Sequence, residues 1–282
     1  MAKHLVPVGS FTAGNPQLFL ISGPCVIEKE SLMMEVAEKL VGISERLGLP
    51  LIYKSSFMKD NRSDLSFYIG PGLDEGLRIL QKVKETFGLP ILTDVHYPEQ
   101  VEAVAQVVDV IQIPAYLCMQ TTLAVTVAKT NKVVNVKHGQ FLAPENMGKV
   151  VKKFTDSGNS QIILTERGFT FGYNDLVVDP RSFYHMQQTG YPVVFDITHS
   201  IRKYGIPSAD PRGGSREFMP VLARAAVAAG VDGLFIEAHP CPSEALCDAA
   251  SQFPIEQVEE FLKPLVDIHH VVSAQRELPI AL

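Results

Sequence analysis

PLIYKSSFMKDNRS, residues 50–63, runs from an apolar stretch straight into two lysines, an arginine, an asparagine and three serines. Its first five residues read as a buried strand, and the rest as a polar segment leaving the strand's C-terminal end. Seven other stretches share this layout: LFLIS (18–22), PILTDV (90–95), VIQIP (110–114), VVNVK (133–137), IILTE (162–166), VVFDI (193–197) and GLFIE (233–237). They are near-continuously apolar, as parallel strands buried on both faces should be. Helical spacing covers 30–47, 73–87, 98–107, 120–130, 144–156, 180–189, 216–229 and 255–275. RLGLP and TFGLP supply the glycine punctuation of a helix-to-strand turn. Eight strand-like runs, each followed by a helix-like one, predict an α/β fold, a (β/α)8 TIM barrel. An open doubly wound sheet would normally show fewer strands or a glycine-rich first turn, and neither GxGxxG nor GxxxxGK occurs. No repeat or linker interrupts the alternation. Residues 1–282 therefore read as one barrel domain, with 1–17 as an N-terminal cap whose VPVGSFTAGNPQ is expected to form a hairpin closing the barrel bottom.

The bulk numbers narrow the function classes. The chain is 46% hydrophobic and 20% charged, with net charge −6, a globular composition. An acidic pI of 5.8 argues against a nucleic-acid or membrane-surface partner, so any anion binding must be local. No apolar run approaches the about 18 residues of a membrane span, and MAKHLVPVGSFTAGNPQ lacks the apolar core of a signal peptide. Four cysteines are too few for a disulfide scaffold of this size, which points to cytoplasmic thiols or metal ligands.

In a (β/α)8 barrel, function collects at the C-terminal ends of the strands. All eight ends here carry a hydrogen-bonding or ionisable group, while the N-terminal ends are mostly Pro, Val, Leu or Gly. One group is cationic: Lys54, Lys59, Arg62, Lys137 and Arg167. A lone lysine more often pairs with a nearby carboxylate, but cations from three strand ends in one mouth call for an anion such as phosphate or carboxylate. The other group is metal-competent: Cys25, His199, Glu237 and Asp248, with Asp94, His96, Asp196 and His239 nearby in the pattern. A buried cysteine is usually a small hydrophobe, yet Cys25 follows Gly-Pro at a strand end, where its thiol would face the mouth. Such a mixed N/O/S set suits zinc, iron, manganese or cobalt, without a local signature such as CxxC. Cys118, Cys241 and Cys247 read as structural or incidental.

GPCVIE (23–28), KSSFMKDNRS (54–63), GPGLDEGLRIL (70–80), ILTDVH (91–96), QIPAYLC (112–118), NVKHGQF (135–141), LTERG (164–168), FGYNDLVVD (171–179), FDITHS (195–200) and GLFIEAHP (233–240) together resemble the 3-deoxy-D-manno-octulosonate 8-phosphate synthase family. The motif order is kept over nearly the whole chain. KDNRS is similar to that family's KANRS rather than to the KPRTS of its erythrose-4-phosphate-using sibling. The resemblance implies a transferase that condenses phosphoenolpyruvate with arabinose 5-phosphate in lipopolysaccharide synthesis, in the cytoplasm, as a homotetramer of barrels. Cys rather than Asn at position 25 resembles the metal-dependent branch, and implies Cys25, His199, Glu237 and Asp248 as ligands of a divalent metal. It also implies Lys54, Ser56, Lys59, Gln112, Lys137 and Arg167 at the phosphoenolpyruvate, and Asn61, Arg62 and Ser63 at the pentose phosphate. Asp94, Pro114 and Ala115 fall on further substrate-contacting motifs. Lys54, Lys59, Lys137 and Asp248 are expected to serve the chemistry, with the general base open between Asp248, Glu237 and a substrate phosphate oxygen.

The chain departs from that pattern at CMQTT (118–122), where the family reads CRQTD, and at YIGPG (68–72), where it reads YRGPG. Met119 thus replaces an arginine that reaches a neighbouring subunit's sugar phosphate, and Ile69 replaces another. The segment 201–215 also differs from the family's loop, and offers Arg202, Lys203 and Arg212 as alternative cations. Two rival readings remain: a metal-dependent phosphosugar aldolase on the same barrel, and a non-catalytic phosphosugar-binding paralogue.

Overall fold

The computed structural model describes residues 3–170 and 175–274. Residues 171–174 of the FGYNDLVVD motif, the first two residues of the expected cap and the last of the 255–275 helix lie outside the described residues. A two-stranded hairpin comes first, strands β1 (Val6–Val8) and β2 (Phe11–Ala13). The barrel strands then follow as β3 (Phe19–Gly23), β4 (Leu51–Lys54), β5 (Ile91–Asp94), β6 (Val110–Ile113), β7 (Val133–Lys137) and β8 (Ile162–Glu166). A small hairpin, β9 (Phe169–Thr170) with β10 (Leu176–Val177), precedes β11 (Val193–Asp196) and β12 (Gly233–His239), and β13 (Phe253–Pro254) adds a short pairing at the end of β12. The parallel order β11-β8-β7-β6-β5-β4-β3-β12 closes through β11–β12 pairing, which makes the eight-stranded barrel. Helices α1 (Glu30–Leu47), α2 (Leu73–Phe87), α3 (Val101–Val107), α4 (Thr121–Ala128), α5 (Met147–Asp156), α6 (Arg181–Gln187), α7 (Met219–Ala228) and α8 (Val258–Ala274) supply one helix for each barrel strand. Gly48 and Gly88 end α1 and α2 at φ 63° and 66°, left-handed values that glycine adopts without Cβ strain.

The pleat divides the core in two. Residues of one parity, such as Leu20, Tyr53, Ile111, Val134 and Leu234, join the helix faces in a single large apolar layer. Residues of the other parity point into the barrel, where Phe19, Ile21, Leu92, Val110, Ile163 and Phe235 pack with Val6, Val8 and Ala13 of the hairpin. The expected N-terminal hairpin is therefore a plug for the barrel floor. His4 stacks on Tyr191 with ring centroids 4.3 Å apart, and Lys3 pairs with Asp232, pinning the plug to the N-terminal ends of β11 and β12.

Continuing each strand by one inward position turns this apolar floor polar. Lys54, Asp94, Gln112, Asn135, Thr165, Asp196 and Glu237 are all buried there, with Lys137 one inward position further along β7. Only Gly23 breaks the pattern: a Cβ on it would stand 2.0 Å from the Lys54 carbonyl oxygen. The strand parity that builds the floor thus also aims charged side chains into the mouth.

Candidate active site

Three lysines of the mouth are each matched to a carboxylate. Lys54 donates to Glu237 and to the Cys25 carbonyl at 2.9 Å. Lys59 lies 3.6 Å from Asp94. Lys137 pairs with Asp196 and sits 3.3 Å above the centroid of Phe235. The carboxylate pairing usual for a lone lysine thus holds for these three, because the barrel brings an acidic partner to each. Burial works against the charge on Lys59, but Asp94, Cys25, Glu237 and Cys247 outweigh it and raise its pKa well above the ordinary lysine value. For Lys137 burial prevails over Asp196 and Glu237, and its pKa falls to about 8. Asp94 and Asp196 overcome their own burial through Lys59 and His96 in one case, and His199 and Lys137 in the other; both stay ionised far below the usual carboxylate range.

The four sulfur, nitrogen and oxygen side chains do converge. Cys25 Sγ is 3.5 Å from Asp248 Oδ2, and His199 Nε2 is 3.5 Å from Glu237 Oε2 and 3.6 Å from Asp248 Oδ2. Asp248 is common to two donor clusters, Cys25–Cys247–Asp248 and His199–Glu237–Asp248. Donors around a tetrahedral ion with bonds near 2.1 Å lie about 3.4 Å apart, close to these spacings. Glu237 Oε2 is buried with no hydrogen-bond partner among the described residues, an orphaned acceptor facing His199. Donor chemistry and spacing both fit a divalent metal.

Residues around the four donors hold them in place; Asp196 is already among the metal-competent residues of the sequence pattern, whereas the roles of Cys247 and Gln252 are not foreseen there. Asp196 accepts from the backbone N–H of His199 at 2.9 Å and lies 2.8 Å from its Nδ1. It thereby turns Nε2 towards Glu237 and Asp248, as outer partners of ligating histidines do. The spacing D-x-x-H in FDITHS was the available signal. Cys247, expected to be structural or incidental, has its Sγ 3.1 Å from Cys25 Sγ and accepts from Arg62 Nη1 at 2.9 Å. Gln252 ties the two cysteine segments together, accepting from Cys25 N at 3.4 Å and donating to the Cys247 carbonyl at 2.9 Å. Nothing local in the sequence could reveal this, since the cysteines are 222 residues apart. Asp248 has φ 52°, a left-handed conformation that aspartate tolerates, and its carbonyl takes the N–H groups of Ser251 and Gln252 at 2.9 and 3.1 Å. Burial raises the Cys25 thiol, with Cys247 adding to the effect. Asp248 overcomes burial through His199 and Arg202 and is held well below the usual range.

Two cavities open from this centre. The inner one, about 180 Å³, is walled by Lys54, Lys59, Asp94, Gln112, Lys137 and Glu237 among others, with Pro114 and Ala115 at its side. The outer one, about 300 Å³, takes in Arg62 and Ser63. Asn61, Tyr116, Arg167, His199 and Asp248 line both and form the junction. Ser56 is wholly buried and does not line either cavity. Gln112 accepts from Asn135 at 2.9 Å, and Asn135 from Thr165 at 2.6 Å, a relay that fixes the Gln112 amide. Cys118 is buried in the main core and Cys241 is half-buried beside Ser243, as expected. Arg212 is on the surface, paired with Asp210 at 2.7 Å, whereas Arg202 and Lys203 line the outer cavity.

Comparison with known proteins agrees with this arrangement. The model of the DAHP synthetase I family matches residues 6–274. A protein of Trichlorobacter lovleyi named 2-dehydro-3-deoxyphosphooctonate aldolase is 55% identical over 273 residues, covering 96% of this chain and all (100%) of its own. Proteins of the same name from Acidithiobacillus ferrooxidans and Thioalkalivibrio sulfidiphilus are 55% and 54% identical, covering 91% and 92% of both chains. With the family model spanning both cavities and relatives aligned nearly end to end, the chain belongs to the DAHP synthetase I family, among the proteins named 2-dehydro-3-deoxyphosphooctonate aldolase.

Proposed function

We propose that the chain joins phosphoenolpyruvate, arabinose 5-phosphate and water into 3-deoxy-D-manno-octulosonate 8-phosphate and inorganic phosphate. The supporting observation is a pair of joined cavities, each with cations and meeting at His199 and Asp248. A single-substrate phosphosugar aldolase has no use for the second cavity. The inner cavity takes phosphoenolpyruvate, with Lys59, Lys137 and Arg167 against its anionic groups and Gln112 as a fixed amide contact. The outer cavity takes the pentose phosphate, with Asn61, Arg62 and Ser63 along it. Holding both reactants across one junction replaces a bimolecular encounter with a positioned one.

The methylene carbon of phosphoenolpyruvate bonds to the aldehyde carbon, whose oxygen gains a proton and becomes a hydroxyl. Water adds to the carbon bearing the phosphate ester and releases a proton. The resulting tetrahedral species expels inorganic phosphate by breaking that carbon–oxygen bond, which leaves the ketone. Lys137 and Arg167 stabilise the charge that develops there. Asp248 and Glu237 are both held below the usual carboxylate range, Glu237 by Lys54, His199 and Lys59 against its burial. Both are thus weak bases. A phosphate oxygen with a second pKa of about 6 is the better acceptor for the water's proton. A divalent metal (zinc, iron, manganese or cobalt) held by Cys25, His199, Glu237 and Asp248 would orient and polarise the aldehyde.

We place this activity in the cytoplasm, in lipopolysaccharide synthesis, with the chain as a homotetramer; sedimentation of the purified protein tests the assembly. No helix among the described residues is long and apolar enough to cross a membrane. The activity is tested by phosphate release from phosphoenolpyruvate plus arabinose 5-phosphate, on chelator-treated protein with and without added divalent metal. Release only with metal supports the reaction and the ligand set, and release regardless of metal supports the reaction alone. Absence of release in both conditions overturns the proposed reaction.

A further inference from the structure

The two cavities differ in charge balance. Four cations line the inner one, Lys54, Lys59, Lys137 and Arg167, against four carboxylates, Asp60, Asp94, Glu237 and Asp248. Four cations also line the outer one, Arg62, Arg167, Arg202 and Lys203, but Asp248 is its single carboxylate among the described residues. Arg62, Arg167 and Arg202 each have a buried Nε with no acceptor among those residues. Partly buried guanidinium groups in such surplus are costly unless an anion completes them.

Two of these cations come from one short segment after β11, and the backbone holds that segment firmly. Arg202 bridges Gly214, and Lys203 pairs in antiparallel fashion with Asp175 and donates its N–H to the Gly213 carbonyl at 2.9 Å. A Cβ at Gly213 would stand 2.7 Å from the Pro207 carbonyl, and one at Gly214 2.8 Å from that of Ala250. The loop can therefore lie flush against residues 248–252 only with glycine at both places. Arg202 donates through Nη1 to Asp248 Oδ1 at 2.9 Å, which anchors its guanidinium at the cavity wall. Lys203 forms no ion pair with a carboxylate among the described residues. Meanwhile Ile69 is half-exposed and Met119 packs against the core, so neither brings charge to this cavity.

We propose that Lys203, with Arg202 beside it, forms the seat for the terminal phosphate of the acceptor sugar, in concert with Arg62 and within one subunit. Lys203 is thereby a specificity-determining residue for an aldose that ends in a dianionic phosphate. A surplus of three positive charges on the outer lining suits a dianion better than a single carboxylate. The inference rests on the proposed condensation and adds the acceptor's distal anion to it.

The experiment is steady-state phosphate release by the full chain, metal-loaded, for wild type, Lys203→Ala and Lys203→Arg. The acceptors are arabinose 5-phosphate, arabinose and arabinuronate, and calorimetric titration of arabinose 5-phosphate runs in parallel. Lys203→Ala is expected to raise the KM for arabinose 5-phosphate by about 10-fold to 100-fold, the loss of one charge-assisted contact. The KM for phosphoenolpyruvate and the slow rate with arabinose should not move, and Lys203→Arg should recover most of the loss. Unchanged acceptor KM in Lys203→Ala overturns the assignment while leaving the condensation standing, and wild-type preference for arabinuronate overturns the phosphate. If wild type releases no phosphate, the condensation fails instead. Calorimetry then judges the seat: arabinose 5-phosphate binding weakened in Lys203→Ala upholds it, and equal or absent binding overturns it.

Discussion

Replacing Asp196 by asparagine keeps the shape of the side chain and removes one charge from the centre of the barrel. Asp196 is wholly buried, pairs with Lys137, lies 2.8 Å from His199 Nδ1, and accepts from the His199 N–H at 2.9 Å and from Thr198 Oγ1 at 3.2 Å. Breaking a buried pair from one side costs about 3–5 kcal/mol, a large part of the roughly 5–15 kcal/mol that holds a typical protein folded. The pH dependence separates this from a packing defect. Burial already lowers Lys137 to about 8, and without Asp196 its pKa falls further, so the variant's folded state binds one proton fewer than its unfolded state at neutral pH. Stability then rises with pH wherever the unfolded state holds the extra proton. The wild type shows this rise mainly above its folded value, whereas the variant shows it already at neutrality. The wild type gains part of this rise as it approaches its own folded value, so the gap between the two should narrow by about 1 kcal/mol from pH 7 to pH 8. Urea unfolding at these two pH values measures it, and metal titration should show a loss of about 10-fold to 100-fold in affinity as His199 loses its orienting partner. A stability loss under about 1 kcal/mol, or one that does not change with pH, would refute the account of this pair. On the acid side Asp196 itself stabilises the fold above an unfolded pKa of about 4, and that contribution is lost as pH falls towards its depressed folded value.

Other outcomes follow from the same geometry. The rate should decline on the basic side as Lys137 loses its proton from about pH 8 upward, and Lys137→Arg should move that limb to higher pH in a kcat/KM profile. Cys25→Ala should lower metal occupancy and abolish metal-dependent activity, and a variant that keeps both metal and rate removes Cys25 from the ligand set. Stripping metal should lower the melting temperature, because a ligand present at 100 times its Kd contributes about 2.7 kcal/mol; an unchanged Tm with and without metal argues against the site. Gly23→Ala sets a Cβ 2.0 Å from the Lys54 carbonyl oxygen and should cost more than about 4 kcal/mol, read by urea unfolding or by failure to accumulate folded protein.

What the sequence determined by itself is what local chemistry can encode. The eight apolar runs and their glycine-ended helices read as a barrel, and a polar group could be named at every strand end, because strand parity is a local property. VVNVK therefore placed Lys137 in the mouth, and GLFIE placed Glu237 there, before any contact was known. The convergence of Cys25, His199, Glu237 and Asp248 was legible through motif resemblance, which supplied a set that spacing alone left weak. Partnership across the barrel was not legible. Whether Lys54 faces Glu237, Lys59 faces Asp94 or Lys137 faces Asp196 depends on closure through β11–β12 pairing, a contact with no local signature. The same holds for Cys247, brought beside Cys25 from 222 residues away, and for Arg202, brought to Asp248 by a loop that needs two glycines to lie flat. Only the tertiary structure assigns a charge its partner, because electrostatic pairing acts through distance in space, and that distance is set when the barrel closes.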